Sequence, residues 1–362
     1  MKLPPIVSKI RRRGLNALNK LTPASTSDIT KLSEMIAQPP ATRDAVNQWT
    51  AQVQGLVNDI VLERISKEDL ASILTGLISY RSSGITPAAS QQALVRAYEN
   101  TSGLFQEVLH TALFEPNAQS GDVQSGLFGH FTETTVAEIV EGISNEGYFV
   151  LPSKLPQEMI ERIRNESRTY SYRLKGGAKS GENSSGIDLS SPPDCISAYA
   201  DSPDSPSLEA ITNDPLLTRV ASEYLRSPSS AIDSTFWYTF PHATPSSETA
   251  QLFHYDLDSI RWLKVFVYLS DVGSENGPHE YVAASHRPEN KVPQVLLKEY
   301  ARIDDQEIDQ FYPGRRRQIT GEAGTVIFGD TRCFHKGTSV QREHRLIFSP
   351  IYAPSRVGYF HG

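Results

Sequence analysis

The sequence predicts an α+β chain, with an α-helical N-terminal region over residues 1–130 and a β-rich domain over residues 131–362. Three observations lead there. The first third repeats apolar residues at helical spacing. A stretch rich in Gly, Ser, Pro and Asp over 175–207 then breaks that texture. Strand-like apolar runs follow with few helices between them, which suggests a sandwich or barrel.

The helices come first. In "SKEDLASILTGLIS", Ser66 and Asp69 have the spacing of a capping box. Leu70, Ile73, Leu74, Leu77 and Ile78 then mark one helix face. Ile29, Leu32, Met35 and Ile36 repeat the pattern until Pro39 and Pro40 end it. Leu104, Phe105, Val108, Leu109 and Ala112 form a third face, and His110 within it reads as structural. Residues 115–127 lack periodicity and read as a linker. Thr135 and Glu138 are placed to cap a helix that Asn145 and Gly147 end, and "YFVL" at 148–151 reads as a strand. Ser153 and Pro156 open the next helix.

Residues 175–207 read as two loops broken near "CISAYA", and as a candidate lid. The strands beyond are "TFWYTF" (235–240), "WLKVFVYL" (262–269), "GTVIF" (324–328) and "RLIFSPIY" (345–352).

Composition limits the function classes. The chain is 38% hydrophobic and 21% charged, with net charge -7, which argues against a dedicated nucleic-acid binder. Its two cysteines, Cys195 and Cys333, exclude a disulfide framework and a cysteine-rich zinc site, and a cytoplasmic setting is the default. No run approaches the ~20 apolar residues of a membrane span. The basic start, with Lys2, Lys9, Arg11, Arg12, Arg13 and Lys20, reads as a solvated terminus, with peripheral membrane or protein contact as the alternative.

The chemistry concentrates around "HYDLD". On extended backbone His254 and Asp256 leave the same face, so an imidazole and a carboxylate can share one metal ion. Charged groups at the mouth of an apolar strand need such a partner. A third ligand is wanted, and His335 follows the strand "GTVIF" and a Gly-Asp turn. Two histidines and one carboxylate leave coordination positions open and suit non-haem Fe(II) oxygenases. Arg345 lies ten residues past His335, at the start of an apolar strand. Barrel geometry predicts that this strand neighbours the one carrying His335. A buried arginine there calls for an anion, and a dicarboxylate co-substrate supplies one.

The segments "EGYFVLPSKLPQEMIERI", "QLFHYDLD", "YLSDVGSENGPHEYVAASHR" and "GEAGTVIFGDTRCFHKGTSVQREHRLIFS" resemble the phytanoyl-CoA dioxygenase family of Fe(II)- and 2-oxoglutarate-dependent oxygenases. The resemblance covers roughly residues 135–362. It implies a double-stranded β-helix, a cupin-like jelly-roll with flanking helices. It implies that His254, Asp256 and His335 hold iron, that Arg345 anchors 2-oxoglutarate, and that O2 is consumed in oxidising a small-molecule or lipid-like substrate. Retention of the carboxylate points to hydroxylation or desaturation, since halogenating relatives have lost it. Family members often carry a small hydroxyl residue two positions past the distal histidine. This chain has Gly337 there, with Thr338 and Ser339 as candidate replacements. The alternative function is a non-catalytic or 2-oxoglutarate-independent jelly-roll whose helical region binds a partner.

Neighbouring groups take blander readings. Asp258 is a turn carboxylate or a slipped-register ligand, and Arg342 is the rival to Arg345. His279 and His344 read as surface groups, His286 as a loop brace and Cys333 as core. Lys264 interrupts an apolar strand and reads equally as a site residue or as a snorkelling one. Tyr255 points away from its neighbours and packs.

Overall fold

The structure is a computed structural model that describes residue 34 and residues 64–201, 205–242, 249–290 and 302–359. The basic start and, residue 34 excepted, the helix anticipated around Ile29 to Ile36 lie outside these residues.

Three helices form the N-terminal layer: α1 (Lys67–Ser83), α2 (Ala88–Thr101) and α3 (Leu104–Leu113). The Ser66 hydroxyl accepts the Asp69 N–H at 3.0 Å, as the capping pattern predicts. The Asp69 carboxylate does not return to Ser66 but takes Arg96 of α2 at 2.7 Å. Leu70, Ile73, Leu74 and Leu77 bury against Ala93, Leu94, Phe105 and Leu109, and Ile260 and Val357 from the second half of the chain join the same core. The bundle is thereby docked on the β region.

Residues 115–127, read as a linker, include a strand. β1 (Val123–Gly126) pairs with β2 (Gly129–Phe131) in a hairpin that buries Val123, Phe128 and Phe131. Its strands are too short to show a period. The next helix, α4 (Glu133–Glu146), starts one turn earlier than expected, because the Thr132 hydroxyl rather than that of Thr135 caps it. It ends at Gly147, where φ is +86°. A Cβ there would meet the Cys333 sulfur at 2.1 Å, so only glycine lets the helix end approach the 330–333 turn.

β3 (Tyr148–Val150) and α5 (Gln157–Glu166) follow. β4 (Ser171–Lys175) ends where the segment read as two loops begins, and that segment contributes β5 (Asn183–Ser185) and β6 (Ser197–Ala200); all three extend the main sheet. Then come α6 (Pro206–Thr212), α7 (Pro215–Leu225), β7 (Ser230–Thr239), β8 (Leu263–Tyr268), β9 (His279–Val282), α8 (Asp305–Phe311), β10 (Arg316–Ile319), β11 (Val326–Gly329), β12 (His335–Gly337) and β13 (Arg345–Ala353).

The eight-stranded antiparallel sheet has the order β3-β11-β8-β13-β7-β6-β4-β5, and a three-stranded sheet β10-β9-β12 faces it. Alternation along β8 separates two cores. Val265 and Val267 pack with Phe328 and Phe348 beneath α4, α5 and α7. Phe266 and Tyr268 face the small sheet and meet Tyr281 and Ile319. Burying each such aromatic side chain contributes about 1.5–3 kcal/mol. The result is a double-stranded β-helix with its site between the sheets. Among the described residues no helix is long and apolar enough to cross a membrane.

His110 is buried in α3, and its pKa is pushed down to about 4, chiefly by burial. A depressed histidine pKa gives stability that is full above the ordinary value of 6.5 and is lost as pH falls toward 4. Each such proton tilts the stability curve by up to about 1.4 kcal/mol per pH unit. We expect His110→Leu to remove one proton's share of that slope in urea unfolding of metal-free protein. An unchanged slope would contradict the neutral, buried assignment.

Candidate metal centre

Two segments distant in sequence form one short ladder. The His254 N–H donates to the His335 carbonyl at 3.0 Å, and the His335 N–H returns to the His254 carbonyl at 2.8 Å. Residues facing each other in this way project side chains from the same face. The two imidazole centroids therefore lie 4.4 Å apart. Asp256, two positions on, shares that face, and its N–H donates to the Thr331 carbonyl at 2.8 Å.

The donor atoms of His254, Asp256 and His335 all lie within 4.8 Å of one another. His254 Nε2 is 3.7 Å from Asp256 Oδ1, and His335 Nε2 is 3.5 Å from Asp256 Oδ2. Each Nδ1 sits 2.9 Å from a backbone carbonyl, Leu252 for His254 and Cys333 for His335. Those carbonyls hold the proton on Nδ1 and turn the Nε2 lone pair into the cluster. Burial, aided by the nearby His335, pushes the His254 pKa down to about 3 and keeps the ring neutral, as a metal ligand must be. Burial works to protonate Asp256, but the Lys264 ammonium holds it well below the usual carboxylate range. Two imidazole nitrogens and one carboxylate fit a divalent first-row metal with open positions.

Lys264 is the residue on which the sequence was undecided. Its ammonium lies 2.7 Å from Asp256 Oδ2 and 2.7 Å from Asp258 Oδ2. Burial acts to strip its proton, yet the two carboxylates raise its pKa. Asp258 is thus the second partner of Lys264, and burial raises its own pKa.

The cluster opens into a cavity of about 200 Å³ whose walls include Tyr199, Trp237, Phe266, His279, Ser349 and Ile351. Arg345 lines it too, only 4% exposed. It lies on β13 in the large sheet, not on a neighbour of β12, because β12 pairs with β9 in the small sheet. The 338–344 connection crosses from one sheet to the other, so Arg345 faces the histidines across the cavity. Its guanidinium donates to the Gly277 carbonyl and to Thr239 Oγ1 at 3.3 Å. Among the described residues Arg345 forms no ion pair with a carboxylate, and its buried Nε has no partner. Arg342 is exposed and pairs with Glu275, so it is no rival.

Gly337 has a direct steric reason. A Cβ there would stand 2.8 Å from the Arg345 guanidinium. The hydroxyl beside that guanidinium comes from Thr239 on β7, while Thr338 donates to the Pro278 carbonyl. His279 is buried rather than on the surface, since the Tyr268 hydroxyl meets its Nδ1 at 3.3 Å, and His344 is half-buried against Tyr238. His286 meets the Cys333 sulfur at 3.2 Å, and Tyr255 packs on Tyr98.

Fold and site define an oxygenase-type double-stranded β-helix. The phytanoyl-CoA dioxygenase (PhyH) family model matches residues 143–344, over half of the chain, and the chain belongs to that family of iron- and 2-oxoglutarate-dependent enzymes. Among solved structures, it is similar to the epimerase SnoN in complex with Fe3+, alpha ketoglutarate and nogalamycin RO. That match has 17% identity over 60% of this chain and 83% of the other, with TM-score 0.46. It is similar to HygX from Streptomyces hygroscopicus with nickel, 2-oxoglutarate and hygromycin B, at 15% identity over 60% and 86%, TM-score 0.40. It also resembles the apoform of EctD from S. alaskensis, at 16% identity over 66% and 83%, TM-score 0.43. No curated protein matches.

Removing the Lys264 ammonium leaves Asp256 and Asp258 without a shared cation. We expect Lys264→Met to cost about 3–5 kcal/mol of stability in metal-free protein at neutral pH, read by urea unfolding. A loss below about 1 kcal/mol would show that the carboxylates do not depend on it.

Proposed function

We propose that this protein is an Fe(II)- and 2-oxoglutarate-dependent dioxygenase that hydroxylates a C–H bond of a small-molecule substrate. The observation that carries this is the convergence of His254, Asp256 and His335 on one ladder, opposite a buried arginine without a carboxylate partner. The overall change is R–H plus 2-oxoglutarate plus O2 to R–OH, succinate and CO2. Bound iron would supply the O2 chemistry.

The side chains have distinct tasks. His254, Asp256 and His335 hold the metal through Nε2, carboxylate and Nε2. Arg345 grips the far carboxylate of 2-oxoglutarate, and Thr239 and the Gly277 carbonyl fix the guanidinium for that task. Asp256 fills the position that a halide would need, which favours hydroxylation or desaturation over halogenation. Trp237, Phe266 and Ile351 exclude water beside the cluster, and Thr235 and Ser349 offer hydroxyls to a polar substrate group. The cavity of about 200 Å³ suits a small substrate. The cytoplasm is the proposed location.

The test is succinate formation from 2-oxoglutarate with added Fe(II). We expect His254→Ala to abolish turnover and Arg345→Ala to raise the KM for 2-oxoglutarate about 30-fold or more. Equal turnover in wild type and both variants would reject the assignment. Gly337→Ala carries a separate expectation. Its methyl group displaces the guanidinium, so 2-oxoglutarate binding weakens by calorimetry while Co(II) affinity stays as in wild type.

A further inference from the structure

The family match begins at residue 143, so α1, α2 and α3 lie outside it. Two of these helices nevertheless reach the ladder that carries the candidate ligands, one on each of its strands.

On the 330–335 side the contact is ionic. The Glu107 carboxylate of α3 accepts hydrogen bonds from Arg226 at 2.5 Å, Arg261 at 3.1 Å and Arg332 at 3.2 Å. Arg332 in turn donates to Asp330 at 2.5 Å, and the Tyr224 hydroxyl donates to the same carboxylate at 2.5 Å. The Arg332 N–H also closes on Asp330 Oδ1 at 2.9 Å. These bonds fix the turn at 330–332. Its central residue, Thr331, supplies the carbonyl that accepts the Asp256 N–H, and its hydroxyl accepts Trp262 Nε1 at 2.9 Å. His335 follows four residues later, at the start of β12.

On the 253–257 side the contact is aromatic and polar. Tyr255 lies between His254 and Asp256 and points the opposite way. Its hydroxyl donates to Glu99 of α2 at 2.7 Å, and its ring stacks on Tyr98 at 6.1 Å.

We propose that Glu107, assisted by Glu99, is a positioning residue for the candidate metal centre. The helical layer sets the spacing of His254, Asp256 and His335 by holding both strands of their ladder. This rests on the metal reading above. Burial works to protonate Glu107, but the three guanidiniums bring its pKa down to about 2. The carboxylate is therefore charged at any working pH.

The experiment is direct titration of the full chain with Co(II), followed by its visible absorption. Support outside the ligand sphere commonly governs 10–100-fold in metal affinity. We expect Glu107→Gln to weaken Co(II) binding about tenfold and to alter the visible band, with helix content unchanged. Leu74→Ala opens a cavity in the core of the bundle without removing a polar group, and is expected to lower the melting temperature while leaving Co(II) affinity as in wild type. Wild-type affinity in a folded Glu107→Gln protein would overturn the proposal. So would an equal loss in Leu74→Ala, because bundle stability alone would then explain the effect. If Glu107→Gln does not fold, the charge-balanced Glu107→Gln/Arg226→Gln variant serves, since Arg226 does not touch the 330–332 turn, with the same weakening expected and wild-type affinity again overturning it. His254→Ala separates the two levels: Co(II) binding as tight as wild type there would remove the metal reading itself.

Discussion

The reciprocal pair of backbone hydrogen bonds between His254 and His335 is the constraint on which the site depends. It joins a segment before β8 to the start of β12, and it places two imidazoles on one face at contact distance. Without it the segment before β8 and the small sheet would each carry an isolated buried histidine. With it, Asp256 reaches the same space because the strand period returns every second side chain to one face. The ladder is short, so its geometry depends on what holds its ends: Thr331 on one strand, Tyr255 and the Leu252 carbonyl on the other.

Electrostatics explains why the surrounding residues are what they are. Asp256 and Asp258 are taken largely out of water, and Lys264 between them offsets much of the repulsion. The ammonium leaves Asp256 charged, which a metal ligand requires. Across the cavity Arg345 donates to neutral oxygens of Gly277 and Thr239, and its Nε is left without a partner. It thus keeps its charge uncompensated by protein and available to an anion.

The legible parts of the sequence were those where residue type and spacing act locally. The face of α1, its Ser66 cap, strands β3, β7, β8, β11 and β13 of the large sheet and the three candidate ligands follow from periodicity and from the cost of polar groups at the mouths of apolar strands. Lys264 was undecided because a lysine in a strand looks the same whether it snorkels or meets two carboxylates, and its partners depend on sheet packing. Spacing misplaced the strand of Arg345 because ten residues can close a hairpin or cross between sheets equally well. Tyr199 reaches the cavity from β6 and Thr239 reaches Arg345 from β7, strands far from the motif, and nothing local marks them. Glu107 is the extreme case. Between Gln106 and Val108 it resembles any helix carboxylate, and only the fold brings three arginines to it.

Gly337 shows how a missing side chain can be a functional feature. The resemblance leads to an expected hydroxyl at this position, with Thr338 or Ser339 as its candidate replacement. In the fold the small sheet carries residue 337 so close to Arg345 that any Cβ would contact the guanidinium. That guanidinium has little freedom to withdraw, since it is buried and bonded on two sides. Glycine is therefore required by the placement of Arg345, and the hydroxyl has a substitute in Thr239, which faces Arg345 across the β7–β13 ladder. Residues 239, 337 and 345 act as one unit: β7 brings a hydroxyl, β13 brings the charge, and β12 leaves the room that the charge occupies.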